Sequence, residues 1–127
     1  MKTVIITNLN QPQDPSIRAK YCTSFLCHLR GLMFRQPIPP GEGLLLVQKK
    51  DDKINATIHM MFMRFDLCVV WINQAYQVVD VQHAHRWGLA FTPRSPAAFI
   101  LELHTDHIKD FHTGDKVRIH ETQPVES

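Results

Sequence analysis

The sequence predicts a mainly β (α+β) fold: a compact, partly closed β-barrel or twisted sheet of six or seven short strands, with one or two short helices packed against it. Three observations carry this reading. Short β-branched and apolar runs recur along the 127 residues, separated by proline, glycine, asparagine and aspartate turn signals. Only residues 23–33 switch to three- and four-residue apolar spacing, the period of a helix face. Apolar residues make up 44% and charged residues 20% of the chain, enough to build a core and too apolar for disorder.

The elements follow in order. Residues 3–7 (TVIIT) are β-branched and read as a strand, after which Pro12 and Pro15 break the chain. Phe25, Leu26, Leu29, Leu32 and Met33 then share a helix face, with Thr23 or Ser24 as N-cap and Gly31 near the exit. The loop from Gln36 to Gly43 is rich in proline and glycine, and residues 44–47 form a brief buried strand. Residues 54–65 resume the β reading. Residues 67–72 (LCVVWI) are apolar throughout, which is the pattern of a strand covered on both faces. Asn73 and Gln74 suit a hairpin tip leading into a strand at 76–81. Further strands are expected at 98–103 and 116–120, with one or two helical turns between 104 and 111. The whole reads as one domain, 1–127, in which residues 1–22 are an N-terminal strand and loop and 121–127 a polar tail.

Charge narrows the partners. The formal net charge is +2, and the one dense cluster, Lys49-Lys50-Asp51-Asp52-Lys53, mixes both signs and reads as a solvated turn. That argues against nucleic acid. Nothing approaches the eighteen or so apolar residues of a membrane span, and no export signal precedes the first strand. Cys22, Cys27 and Cys68 lack a C-x-x-C spacing. Reduced buried thiols and a cytoplasmic location are therefore expected.

Three blocks carry a family resemblance: Arg30-Gly31-Leu32-Met33-Phe34-Arg35, the HMMFMRF…VVWIN stretch from His59 to Asn73, and AAFILEL (97–103) followed by Gly114-Asp115-Lys116-Val117. From about Thr23 to His120 the chain resembles the uncharacterised bacterial and archaeal family called domain of unknown function 192 (DUF192). The resemblance implies a compact, mostly β fold in a prokaryotic protein and brings no established activity. Where that family shows a Pro-hydrophobic-Asp step, this chain has Asp66-Leu67-Cys68.

The candidate sites divide into two classes. In the first, Arg30, Arg35 and Arg64 fall on the family-like blocks, and guanidinium forks grip carboxylates and phosphates at two points. With Met61, Met63 and Trp87 as apolar walls they would form a shallow pocket for a small anionic ligand or a protein partner, in a non-catalytic binding or scaffolding module that needs no cofactor. Paired to Glu42, Glu102 or Asp66, the same arginines would simply pin helix to sheet. In the second, a metal-binding protein or hydrolase-type enzyme would use His83, His85 and Glu102, since H-x-H in a strand puts both imidazoles on one face. His104, His107 and His112 offer a further set, and His59, Met61 and Met63 would share the face of a regular strand, a soft-ion arrangement. No H-E-x-x-H, nucleophile elbow or phosphate loop accompanies them.

Overall fold

The computed structural model describes residues 2–11, 16–23 and 37–122. Among the described residues, seven strands form one mixed sheet. They are β1 (Thr3–Asn8), β2 (Ile17–Cys22), β3 (Glu42–Asp52), β4 (Leu67–Ile72), β5 (Val78–Ala84), β6 (Ala97–Leu103) and β7 (Val117–Glu121). Their order across the sheet is β5-β4-β6-β3-β2-β1-β7. Only β2 and β3 are parallel neighbours; the other pairs are antiparallel. Among the described residues the helical content is one 3-10 turn, Thr105–His107.

β4 sits at the heart of the packing, and all six of its residues are buried. Successive strand side chains point to opposite faces, so two separate cores meet at this strand. Leu67, Val69 and Trp71 pack with Leu44, Leu46, Ile100, Met60 and Met63. Cys68, Val70 and Ile72 pack with Val4, Ile6, Leu45, Leu101 and Phe111. The second core draws side chains from every strand, including Ile17, Val78 and Val117, so the sheet wraps around it. The two edge strands approach at one corner, where Gln77 bridges Lys116 and Val78 N–H donates to the Asp115 carbonyl at 2.8 Å. The ladder does not continue from there, and the sheet is not closed. Of the two expected forms, a partly closed barrel or a twisted sheet, the structure is the open sheet.

The first core is covered by aperiodic chain. Residues 54–65 are not the strand their composition suggests. Thr57 N–H donates to Ile54 O and Met63 N–H to Met60 O, so two turns with i to i+3 bonds replace extended backbone. The turns put Met60 and Met63 into the core while Met61 and Phe62 face outward. The expected shared face of His59, Met61 and Met63 therefore does not exist. Trp71 fastens this cover from below, its indole N–H donating to the Ala56 carbonyl at 2.7 Å in a buried setting. Residues 85–96 lie alongside, joined through an isolated bridge between Ile58 and Phe91.

Other expectations are corrected as well. β2 was not anticipated, although IRAKYC alternates buried and exposed positions as a half-buried strand does. The left-handed residue in the β4–β5 turn is Tyr76 (φ 60°), not Asn73. Asn73 instead accepts N–H bonds from Ala75 and Gln77 through its side-chain oxygen. Cys22 is disulfide-bonded rather than a reduced thiol. Cys68 is free and buried, its thiol pushed up to about 12 chiefly by burial, and so is inert. The helix expected over 23–33 falls outside the described residues apart from Thr23.

Trp71→Phe removes the indole donor and strands the Ala56 carbonyl beneath the cover. It is expected to lower unfolding free energy by about 2 kcal/mol in urea denaturation, with little change in m-value.

Candidate functional site

The chain entering β4 and the chain leaving β5 build one polar cleft. Residues 64–66 precede β4, and His83 lies beside Cys68 in the antiparallel register, so Asp66 and the β5 edge are brought together. Asp66 is held by two donors. One oxygen pairs with His83 Nε2 at 2.9 Å, and the other accepts the Arg86 backbone N–H at 2.8 Å. These bonds, that from His83 foremost, hold the Asp66 carboxyl below its ordinary range. The pair is partly solvated, with side chains 51% exposed for His83 and 30% for Asp66. It adds stability above the unfolded carboxyl value of 3.8 that is lost as the pH falls through the lowered one.

Around this pair lies a cleft of about 260 Å³. Arg64, Arg86, His83, His104 and Thr105 supply its polar wall, and Pro37, Ile38, Phe65 and Leu67 its apolar one. His104 sits there because it caps the 3-10 turn, its Nδ1 accepting the Asp106 N–H at 3.0 Å. That turn is itself tied down by buried His107, which bonds Asp110 through Nδ1 at 2.9 Å and the Pro40 carbonyl through Nε2. Neither Arg64 nor Arg86 has its guanidinium in a hydrogen bond or ion pair among the described residues. The one carboxylate in the wall is already engaged, which leaves the cleft with an excess of positive charge. A larger hollow, about 430 Å³, lies between Pro37–Pro39 and β2–β3, where Arg18, Lys20 and Glu42 are its charged residues. It holds no oriented imidazole.

The expected site residues are dispersed. Arg64 lines the cleft. Met63 is in the core, while Met61 and Trp87 are exposed on the two covering loops and do not line it. Arg30 and Arg35 lie outside the described residues. His83, His85 and Glu102 do not converge. Consecutive β4 residues Cys68 and Val69 pair with His83 and Glu102, so those two side chains leave opposite faces of the sheet. His85 instead packs edge-on against Phe91, with ring centroids 5.3 Å apart. No cluster of three metal-ligating side chains occurs among the described residues. Arg86 and Thr105 are not singled out by the sequence because nothing local links them to the cleft, and His104, expected in a set with His107 and His112, instead faces Arg64 and Asp66 across it. Asp66 was the usable signal, an acid closing an aromatic run just before a fully apolar strand.

Glu102 stands apart. It is 6% exposed, has no hydrogen-bond partner among the described residues, and burial pushes its carboxyl up to about 7.

The sequence profile of the domain of unknown function 192 family, described as "Uncharacterized ACR", matches residues 6–119. A UPF0127 protein of Thermococcus kodakarensis is 35% identical over 85 residues, covering 67% of this chain and 52% of the relative. Another UPF0127 protein, from Thermococcus gammatolerans, is 32% identical over 96 residues, covering 74% and 61%. The chain thus spans roughly half to three-fifths of those relatives. In three dimensions it is similar to a Sinorhizobium meliloti protein whose name proposes a transcription regulator, with TM-score 0.80 over 93% of this chain and 92% of that one. At 17% identity the likeness shows the fold alone.

Because Glu102 ionises near 7 when folded and near 4.5 when unfolded, its stability contribution declines as pH rises between those values. Glu102→Gln is expected to be close to neutral at pH 4.5 and to gain on the order of 2 kcal/mol relative to the parent at pH 8, read by denaturant titration at both pH values.

Proposed function

We propose that this chain, which belongs to the domain of unknown function 192 family, is a non-catalytic binding module that takes a small phosphate- or carboxylate-bearing anion in the cleft before β4. One observation carries the reading. Arg64 and Arg86 line a single cleft with no hydrogen-bonded or ion-paired acid on either guanidinium among the described residues, while Asp66, the carboxylate in its wall, is taken up by His83 and the Arg86 N–H and feels the Arg86 charge only at longer range. Guanidinium groups left unpaired at a concave wall are suited to two-point recognition of an anion.

Each residue has a part in this reading. Asp66 fixes the ring of His83, so the other imidazole nitrogen is presented in a set orientation to whatever the cleft holds. His104 and Thr105 add polar contacts from the far wall. Phe65, Leu67 and Ile38 remove water from one side, which strengthens charge interactions within the cleft. In this reading the pocket expected around Arg30, Arg35, Arg64, Met61, Met63 and Trp87 keeps Arg64; Arg86 and the imidazoles take the place given to the thioethers, and Arg30 and Arg35 lie outside the described residues.

Titration of the isotopically labelled protein with inorganic phosphate tests this. Side-chain N–H signals of Arg64 and Arg86 and the His83 and His104 ring signals are expected to move together with a millimolar dissociation constant. Arg64→Ala or Arg86→Ala should weaken binding by about tenfold, or ~1.4 kcal/mol. Shifts scattered over the surface, or binding unchanged in both variants, would contradict the assignment.

A further inference from the structure

The two covering loops end in an exposed apolar tip that the cleft does not use. Met60 N–H donates to Gly88 O at 2.9 Å and Trp87 N–H to Met60 O at 2.8 Å, so the loops are clamped side by side. At their ends Met61 is 38%, Phe62 44%, Trp87 57% and Leu89 78% exposed. Phe62 and Trp87 meet edge-on with centroids 5.2 Å apart. Both hold positive φ, 68° and 66°, a backbone region that bulky side chains rarely adopt. Gly88, next after Trp87, is pressed so closely on Phe91 that a Cβ there would come within 2.5 Å of the ring. The tip is therefore rigidly built, with large apolar side chains directed outward rather than folded back.

Charge and size select the occupant. Residues 54–65 and 85–96 contain three arginines, Arg64, Arg86 and Arg94, and not one aspartate or glutamate. Four half-exposed side chains offer on the order of 400 Å². That is about half of what each side of a stable protein–protein interface requires. Neither hollow of the fold is lined by Met61, Phe62, Trp87 or Leu89, so the tip is a projection and not a groove. A small apolar projection that carries an exposed tryptophan, on loops that hold arginines and no acid, matches the chemistry of an anionic bilayer surface, where aromatic rings settle at the headgroup level and arginines meet lipid phosphates. We infer that the paired loop tips dock this protein reversibly on an anionic lipid surface, inserting Trp87 and Leu89 among the headgroups while Arg64 and Arg86 contact them. This inference shares Arg64 and Arg86 with the proposed cleft, but Trp87 and Leu89 do not line it, so variants at those two positions test the tip apart from the anion site.

Vesicle sedimentation with tryptophan fluorescence tests it. Trp71 is fully buried, so a blue shift on adding vesicles reports Trp87. Vesicles of mixed phosphatidylglycerol and phosphatidylcholine are expected to sediment the protein with such a shift, and pure phosphatidylcholine vesicles at least tenfold more weakly. Leu89→Ser and Trp87→Asn, the latter because asparagine tolerates positive φ, should each weaken sedimentation by about tenfold with melting temperature preserved. Failure to bind the anionic vesicles, or equal binding by both variants, would overturn the proposal. So would persistence of the blue shift in Trp87→Asn. Self-association that Leu89→Ser abolishes, without vesicle binding, would overturn it too and assign the tip to a second copy of the chain.

Discussion

The double burial of β4 governs the rest of the structure. A strand whose six residues are all buried must have apolar material on both sides, and only one side can be supplied by wrapping the sheet on itself. There the side chains of β1, β2, β3, β6 and β7 close over Cys68, Val70 and Ile72. The opposite side has to be filled by chain that is not itself sheet. Met60, Met63, Ala56 and Ile58 do this on Val69 and Trp71, with Phe91 packed against them. Methionine suits the task because an unbranched thioether fills irregular gaps that β-branched residues cannot.

The cleft is a by-product of that cover. Chain that has just crossed the outer face must turn sharply to enter β4, and the turn leaves Arg64, Phe65 and Asp66 at the strand's mouth. Antiparallel pairing sets His83 beside the same point, and the turn after β5 brings the Arg86 N–H to Asp66. Two covalently distant stretches thus share one carboxylate, which fixes the imidazole and leaves the guanidinium groups to the solvent side. Glu102 illustrates the opposite fate. Its register places it within the sheet, where desolvation acts with nothing described to offset it.

Legibility in the sequence followed periodicity. The uniformly apolar LCVVWI run announced a doubly covered strand, and AAFILEL and VRIHE were found nearly to their ends. IRAKYC carries the same alternation, but Pro12 and Pro15 just before it give the local signal of a loop. The methionine stretch misled for a physical reason. Apolar side chains on both apparent faces look the same for a sandwiched strand as for consecutive turns, and only the burial of Met60 and Met63 three residues apart separates the two. Of the cleft residues, Arg64 belongs to the expected binding set and His83 to the alternative metal set, whose other member Glu102 lies on the opposite face of the sheet. Arg86, His104 and Thr105 depend on tertiary register, which no local pattern encodes.

Native-state hydrogen exchange tests most directly whether aperiodic chain serves as a true second layer over β4. The amides of Ile58, Met60, Trp87 and Phe91 donate across the two covering loops. They are expected to exchange with protection approaching that of Val69 and Val70, opening only with the core. Exchange at the rates of unstructured peptide, with β4 still protected, would show that the loops do not form that layer and would remove the basis for the cleft they frame.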